Sequence, residues 1–129
     1  MNRKAIDTQN APGAVGPYSQ ACSAIDGKTL YLSGQIPLDP ATGKMVEADA
    51  AAQAERCMEN LGAVLNAAGL DFGHVLRCTI YLTDMDDFGS VNEVYSRYFE
   101  SPAPARATVQ VAALPKGALV EIDAIAERS

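Results

Sequence analysis

Alternating apolar and polar residues predict strands in several regions of the chain. Two runs within residues 18–35, "YSQACSAIDGKTLYLSGQ", flank Asp26 and Gly27, a dipeptide that favours a tight β-hairpin. The run "HVLRCTIYLTDM" over 74–85 places apolar and polar side chains on opposite faces. Its first face comprises Leu76, Cys78, Ile80 and Leu82, and its second comprises Arg77, Thr79, Tyr81 and Thr83. Residues 4–7 are a candidate for a further short strand.

Apolar residues at intervals of three and four predict two helices. The first follows Asp49, whose side chain suits a helix N-cap, and ends before Gly69. Its apolar stripe comprises Ala54, Cys57, Met58, Leu61, Leu65 and Ala68. The second has Asp86 or Asp87 as its cap, and the prolines of "ESPAPAR" end it. Its stripe comprises Phe88, Val91, Val94, Tyr95, Tyr98 and Phe99.

The order of these elements predicts the fold class. Residues 37–47 contain two prolines and a Thr-Gly pair and are predicted to form a loop. Two closing strands are predicted over 106–113 and 119–127, joined by residues 114–117. The resulting ββαβαββ order predicts an α+β fold, in which a mostly antiparallel sheet carries both helices on one face. We expect one domain over residues 1–129.

The predicted sheet face away from the helices has a mixed character. It is too apolar to face only solvent and too polar for a dry core. Its predicted members are Tyr31, Ser33, Thr79, Tyr81, Thr108, Gln110 and Ile125. Because such a face often packs against the same face of a second copy, the pattern predicts a homo-oligomer.

Charge and composition narrow the classes of partner. The 129 residues carry a formal net charge of −6, and their basic residues are scattered, which disfavours nucleic-acid binding. No apolar run approaches the roughly 18 residues of a membrane span. The first residues lack the apolar segment of a secretory signal, so we expect a cytoplasmic protein. The widely spaced Cys22, Cys57 and Cys78 are interpreted as reduced, buried thiols.

Two charged residues in otherwise apolar strands are the main candidates for chemistry. Arg106 follows "SPAPA", whose prolines stiffen the approach, and its alanine neighbours leave space beside the guanidinium. It could pair with a local acid, or it could bind a small carboxylate through two hydrogen bonds. Glu121, in "LVEIDA", could lie on a solvated strand face or at a partly buried seam. In the second case burial would raise its pKa and suit it to proton transfer.

Several weaker candidates accompany this pair. Tyr18 follows a Gly-Pro turn at the entrance of a strand, and Ser33 and Gly34 end the next strand. The glycine would let the backbone approach a ligand closely. Asn92 lies on the predicted polar face of the second helix. Taken singly, Tyr18, Ser33 and Asn92 fit structural or solvent-facing roles better than binding roles.

The sequence offers few alternatives to cofactor-free chemistry. His74 is the single histidine and its position favours a capping or surface role. The cysteines lack the spacing of a zinc site, and neither GxGxxG nor GxxxxGK[ST] occurs. We therefore predict no metal and no cofactor, and chemistry on a small molecule.

Four segments resemble one known family closely. They are "NAPGAVGPYSQA", "LYLSGQIPLDPATG", "DFGSVNEVYSRYF" and "PARATVQVAALPKGALVEIDAIA", which together run nearly from end to end. The chain is similar to the RidA (YjgF) family of enamine and imine deaminases. The resemblance implies a chorismate-mutase-like fold and a homotrimer with a central barrel and three clefts between subunits. It implies hydrolysis of 2-iminobutanoate and 2-iminopropanoate to 2-keto acids and ammonia, which protects PLP enzymes.

The resemblance also assigns roles to residues. Arg106 matches the residue that binds the substrate carboxylate, and Glu121 matches the residue that positions or activates the attacking water. Tyr18, Ser33, Gly34 and Asn92 match residues that line the pocket across a subunit boundary. Thr108 occupies a substrate-binding position at which some relatives have cysteine, which puts a thiol-based role there in doubt.

Other functions stay open at this point. One is a trimer that binds small carboxylates without turnover or acts as a chaperone-like factor. Ribonuclease or translation-inhibitor activity has been attached to relatives, and a chorismate mutase would share the fold only. The sequence does not decide which imino-acid side chain is preferred, or whether Glu121 is a general base or only holds water.

Overall fold

The computed structural model describes residues 2–129, which form one six-stranded sheet and two α-helices. The strands are β1 (Arg3–Ile6), β2 (Ala21–Ala24), β3 (Thr29–Gln35), β4 (Val75–Leu82), β5 (Ala105–Gln110) and β6 (Val120–Glu127). The helices are α1 (Ala50–Ala67) and α2 (Phe88–Ser96). Over these residues, short 3₁₀ turns occur at Phe72–His74, Met85–Asp87 and Pro115–Gly117. The predicted α+β class is confirmed, and the candidate strand at residues 4–7 exists as β1.

Polar side chains cap the helices largely where the sequence predicts. The Asp49 carboxylate accepts a hydrogen bond from the Ala52 backbone N–H at 2.9 Å, which satisfies one free donor in the first turn of α1. Asp87 precedes α2, but its side chain makes no capping hydrogen bond. The Asp84 side chain instead accepts from the Asp86 N–H at 2.9 Å, so the cap stabilises the 3₁₀ turn that leads into α2.

The order of the strands in the sheet differs from their order in the chain. The sheet runs β1-β2-β3-β6-β4-β5, so the last strand lies in the middle. The two closing strands are therefore not neighbours, because β4 lies between β5 and β6. β5 pairs parallel with β4, and the other pairings within this sheet are antiparallel. β5 consequently forms one edge of the sheet.

The helices cover one face of the sheet and enclose the apolar core. Fully buried side chains from α1 meet those of the central strands. They include Leu30, Met58, Leu61, Leu65, Ile80, Leu82 and Ile122. Burying one such Leu or Ile side chain contributes roughly 1.5–3 kcal/mol, so this layer supplies the main stabilisation of the fold.

Two predictions about strand faces are wrong. Leu76 is exposed and Val75 is buried, because an irregularity in the pairing of β4 with β6 between Val75 and Arg77 reverses the alternation there. Thr108 and Gln110 do not lie on the face away from the helices. Thr108 is aligned with the core residue Ile80, and aligned residues of paired strands point to the same face.

The remaining predicted features largely agree with the structure. Cys57 and Cys78 are buried and unpaired, whereas Cys22 is unpaired but only half-buried. Burial raises the pKa of the Cys78 thiol to about 11, so it is protonated at neutral pH. His74 completes a capping box with Asp71, as its position suggested. None of the helices in the described residues is long and apolar enough to cross a membrane.

Candidate active site

A cavity of about 410 Å³ lies beside the carboxyl-terminal end of β3, within the range of small-molecule pockets. Three segments surround it. They are the N-terminal loop (residues 12–18), the end of β3 with the residues after it (33–38), and the 3₁₀ turn before β6 (Pro115–Gly117). Four of the predicted site residues line this cavity, namely Tyr18, Ser33, Gly34 and Glu121. We call this space the Glu121 cavity.

The backbone at Gly34 makes room for the Glu121 side chain. The pairing of β3 with β6 shifts between Leu32 and Gln35, which places Gly34 at the irregularity. A Cβ atom built on Gly34 would lie 2.9 Å from Cδ of Glu121 and closer still to Oε2. Because real Cβ atoms do not approach other atoms so closely, only glycine permits this position of the carboxylate.

Glu121 is half-buried, and its surroundings disfavour the charged form. Burial raises the pKa of Glu121 above its usual value, and the nearby Asp123 carboxylate raises it further. Asp123 itself accepts hydrogen bonds from the Tyr81 hydroxyl at 3.0 Å and the Thr79 N–H at 3.2 Å. A carboxylate whose pKa is raised toward neutrality is a better proton acceptor than an ordinary glutamate.

Hydrogen bonds fix Tyr18 and Ser33 at the cavity wall. The Tyr18 N–H donates to the Gly16 carbonyl at 2.8 Å, which closes the predicted Gly-Pro turn. The phenolic oxygen accepts from the Val15 N–H at 3.3 Å. The Ser33 hydroxyl donates to the Ser19 carbonyl at 2.6 Å, so Ser33 ties β3 to the N-terminal segment and keeps only acceptor capacity for a ligand.

Buried amide side chains hold the loops around the cavity, a role that the sequence patterns did not reveal. Gln20 donates to the carbonyls of Ala11 at 3.3 Å and Pro12 at 2.8 Å, and thereby anchors the N-terminal loop. From α1, Gln53 accepts from the Leu119 N–H at 2.8 Å, and Asn60 donates to the Leu38 carbonyl at 3.0 Å. Each amide satisfies backbone groups that would otherwise be buried without partners.

Arg106 lies elsewhere, at the edge of the sheet beside α2. Its Nη1 donates to Oδ1 of Asn92 at 2.6 Å. Its guanidinium carbon lies 5.0 Å from the Tyr95 ring centroid and 5.6 Å from that of Phe88, distances typical of cation–π contacts. Within residues 2–129, Arg106 forms no ion pair. These contacts therefore hold the Arg106 guanidinium in place, while most of its N–H donors stay free for an anion.

Thr108 lies in the same group as Arg106, two residues further along β5. Its Oγ1 is buried and has no hydrogen-bond partner among the described residues, and the same holds for the Tyr95 hydroxyl. Both hydroxyls lie on the helix side of the sheet, because Thr108 is aligned with Ile80 and Tyr95 belongs to α2, where it contacts Arg106. The structure places Arg106, Asn92 and Thr108 together as a second group, which we call the Arg106 group.

The Glu121 cavity and the Arg106 group lie on opposite faces of the sheet. Arg106 is aligned with the core residue Cys78, whereas Glu121 is aligned with Tyr81, whose side chain points to the other face. With spacings of about 3.3 Å per residue and 4.8 Å per strand, their Cα atoms are roughly 14 Å apart. One protomer therefore does not bring Arg106 and Glu121 to a common ligand.

Lys116 also lines the Glu121 cavity and was not singled out from the sequence. Its φ is 58° and its ψ is 22°, a left-handed conformation that costs a residue other than glycine on the order of 1 kcal/mol. Gly117, with φ of 73°, follows it. A lysine directly before a glycine in a Pro-Lys-Gly turn is the sequence signal that could have identified it.

The described residues contain no cluster of three or more His, Cys, Asp or Glu side chains that could hold a metal ion. The cavity instead presents one raised-pKa carboxylate, one lysine, two hydroxyls and backbone groups, a set suited to positioning water beside a small polar ligand.

Comparisons with known proteins identify the family. A family model described as Endoribonuclease L-PSP matches residues 8–128. The chain is 68% identical over 126 residues to "Protein DfrA" of Myxococcus xanthus, covering 98% of this chain and 96% of that protein. It is 52% identical over 124 residues to the 2-iminobutanoate/2-iminopropanoate deaminase of Mus musculus, covering 96% and 90%. The crystal structure of E. coli TdcF with bound serine superposes with a TM-score of 0.89 at 47% identity, covering 98% and 99%. The chain belongs to the endoribonuclease L-PSP family, which is the RidA (YjgF) family.

Proposed function

We propose that this protein hydrolyses 2-imino acids, with 2-iminobutanoate and 2-iminopropanoate as its substrates, in a homotrimer whose sites lie between subunits. The observation that carries the proposal is the division of the site residues between two faces of the sheet. A relative named as a deaminase at 52% identity supports the reaction. The exposed Tyr31 and Val109 on the face away from the helices support burial of that face against other copies.

In the proposed site, Arg106 of one subunit binds the substrate carboxylate. A planar guanidinium and a carboxylate form two parallel hydrogen bonds, each charge-assisted contact contributing about 1.5–3 kcal/mol. Asn92, Phe88 and Tyr95 hold the guanidinium before substrate arrives, so little ordering is required on binding. This fixes the imine carbon of the substrate at the subunit boundary.

Glu121 of the neighbouring subunit then acts on water. Its carboxylate orients a water molecule toward C2 and accepts a proton as the C–O bond forms and the C=N π electrons move to nitrogen. Glu121 returns that proton to nitrogen, which gives the neutral carbinolamine. It then takes the hydroxyl proton and passes it to nitrogen as the C=O bond forms and the C–N bond breaks, so ammonia and the 2-keto acid leave and the carboxylate is regenerated. Because an imine is already electrophilic, alignment of water and substrate supplies much of the acceleration.

Arg106 substitutions test this function most simply. We expect Arg106→Ala to reduce hydrolysis of 2-iminobutanoate, made in situ by an amino-acid oxidase, to the spontaneous rate. Arg106→Lys should lose at least about tenfold in kcat/KM because a point charge cannot form the planar fork. The matched control is Arg97→Ala, which removes an exposed arginine whose one ion pair among the described residues is with Glu93.

The readout is release of ammonia and 2-keto acid, with light scattering to establish that each variant assembles as the parent does. Wild-type rates in Arg106→Ala would contradict the proposed function, whatever the control does. A loss in Arg97→Ala equal to that in Arg106→Ala would attribute the effect to net charge rather than to the carboxylate contact.

A second candidate is a trimer that binds small carboxylates without turnover. The observation that favours it is the serine bound in the related E. coli TdcF structure. The raised pKa of Glu121 favours turnover instead, because binding an anion does not require a nearby carboxylate. Binding of 2-oxobutanoate by calorimetry without any acceleration of imine hydrolysis would support the second candidate.

A further inference from the structure

We infer that Lys116 attracts the anionic substrate to the Glu121 cavity, where the neighbouring subunit's Arg106 binds its carboxylate; the inference rests on the proposed function. Lys116 is the one cation among the described residues that line this cavity. It forms no ion pair within residues 2–129, so its charge is available to a ligand.

The electrostatic setting of the cavity creates a need for such a charge. The protein carries a formal net charge of −6, and the cavity contains the Glu121 carboxylate with Asp123 nearby. A 2-imino acid carries its own carboxylate and is repelled by both. In the proposed site the neighbouring subunit's Arg106 binds the carboxylate at close range, but the protomer's own Arg106, on the other sheet face, does not offset this repulsion. A cation at the cavity wall offsets it and raises the local concentration of anions.

Backbone hydrogen bonds fix the turn from which the exposed Lys116 side chain extends. The Gly117 N–H donates to the Leu114 carbonyl at 3.3 Å, and the Ala118 N–H donates to the Pro115 carbonyl at 3.1 Å. These two turns enclose Lys116, and α1 holds the nearby Leu119 through Gln53. Glycine or asparagine would adopt the left-handed conformation of residue 116 at lower cost. A lysine at this position therefore indicates that its side chain contributes something other than turn stability.

Three substitutions separate the charge from the turn. Lys116→Gly and Lys116→Asn remove the charge and suit the left-handed backbone, whereas Lys116→Arg keeps the charge. With 2-iminobutanoate at low ionic strength, we expect the first two to raise KM about fivefold and change kcat less than twofold. They should also flatten the decrease of kcat/KM with added salt. Lys116→Arg should retain the wild-type KM and salt dependence.

The control is Lys4→Asn, which removes one exposed positive charge on β1 and should leave KM unchanged. A purely structural role for Lys116 predicts lower melting temperatures with unaltered salt dependence. The charge-based role predicts that Lys116→Gly melts at or above the wild-type temperature, because the strained backbone is relieved. Wild-type KM and salt dependence in Lys116→Asn would overturn the inference.

Binding of 2-oxobutanoate, measured by calorimetry, separates this inference from the proposed function. If the wild type binds 2-oxobutanoate but does not hydrolyse the imine, a fivefold weaker Kd in Lys116→Asn supports the anion site while the deaminase proposal fails. If Kd is unaltered in Lys116→Asn, the inference fails whether or not hydrolysis occurs. If the wild type neither hydrolyses nor binds, both fail.

Discussion

Glu121 occupies the space that any side chain on residue 34 would need. The close approach of Oε2 to the Gly34 Cα region fixes the carboxylate at the cavity wall, and partial burial there raises its pKa. One glycine thus links a local irregularity of β3 to the protonation behaviour of Glu121, the candidate catalytic base. The same residue makes the position of Glu121 sensitive to the smallest possible substitution.

Gly34→Ala tests this link at the residue scale. The added methyl group would meet Cδ of Glu121 at 2.9 Å, so the carboxylate must leave its present position. We expect kcat for 2-iminobutanoate to fall at least about tenfold, since a displacement near 1 Å at a reacting group has effects of this order or larger. Steady-state kinetics and thermal unfolding of the purified variant provide the measurement.

Gly89→Ala is the matched control, because a Cβ on Gly89 meets, within 4 Å, no atom of the described residues apart from its own helix backbone and chain neighbours. Gly89 lies in the first turn of α2, so this substitution should leave both kcat and the melting temperature close to the wild-type values. The Glu121 account is wrong if Gly34→Ala retains both the wild-type kcat and the wild-type melting temperature.

The pairing of β5 with β4 determines which residues of α2 contact Arg106. β5 is an edge strand aligned parallel with β4, and it turns Arg106 toward α2. Asn92 then accepts from the guanidinium without neutralising it, whereas an aspartate would form an ion pair. In the proposed site, a neutral acceptor at this helix position would keep the positive charge available to an incoming carboxylate.

Asn92→Asp tests the requirement for a neutral partner. Because aspartate has the same shape but pairs with Arg106 permanently, the substrate carboxylate must compete with it. We expect KM to rise at least about tenfold, and more than in Asn92→Ala, which loses only the orienting hydrogen bond. Glu93→Gln, on the adjacent exposed position, changes the charge by one unit and should not alter KM. An Asn92→Asp variant with the KM of Asn92→Ala would contradict this explanation.

Local patterns predicted the elements but not their arrangement. Asp49, Gly27 and the apolar stripes act within a few residues, so both helices and the strands could be read from the sequence. The insertion of β6 between β3 and β4 depends on pairings far apart in the chain. The predicted face of Thr108 is wrong because both faces of an edge strand are partly exposed, and polarity then gives no direction.

Local sequence patterns also identified the candidate site residues without showing how they are arranged. Arg106 and Glu121 stood out because each interrupts an apolar run, and Tyr18, Ser33 and Gly34 proved to share the cavity of Glu121. The alternation of apolar and polar residues shows which residues of one strand share a face of the sheet. It does not show whether residues of two different strands share that face. The placement of Arg106 and Glu121 on opposite faces therefore emerged only with the sheet register.

At the scale of the whole molecule, the two faces explain why an assembly is needed for the proposed chemistry. Arg106 and Glu121 lie roughly 14 Å apart with the sheet between their side chains, by the spacings of residues and strands. A subunit boundary that joins the β5 edge of one copy to the Glu121 cavity of the next would unite them. In a closed ring, every copy would then contribute one half to each of two sites.

Mixed assemblies of Arg106→Ala and Glu121→Gln subunits test whether each site is shared by two subunits. Each variant alone should be inactive, because every site lacks one of its two groups. After co-expression at equal levels, with mass spectrometry to verify mixed composition, about one quarter of the sites in a closed ring combine an intact Arg106 with an intact Glu121. We predict about one quarter of wild-type imine hydrolysis in the mixture; no activity in mixtures verified to contain both subunits would contradict the shared site.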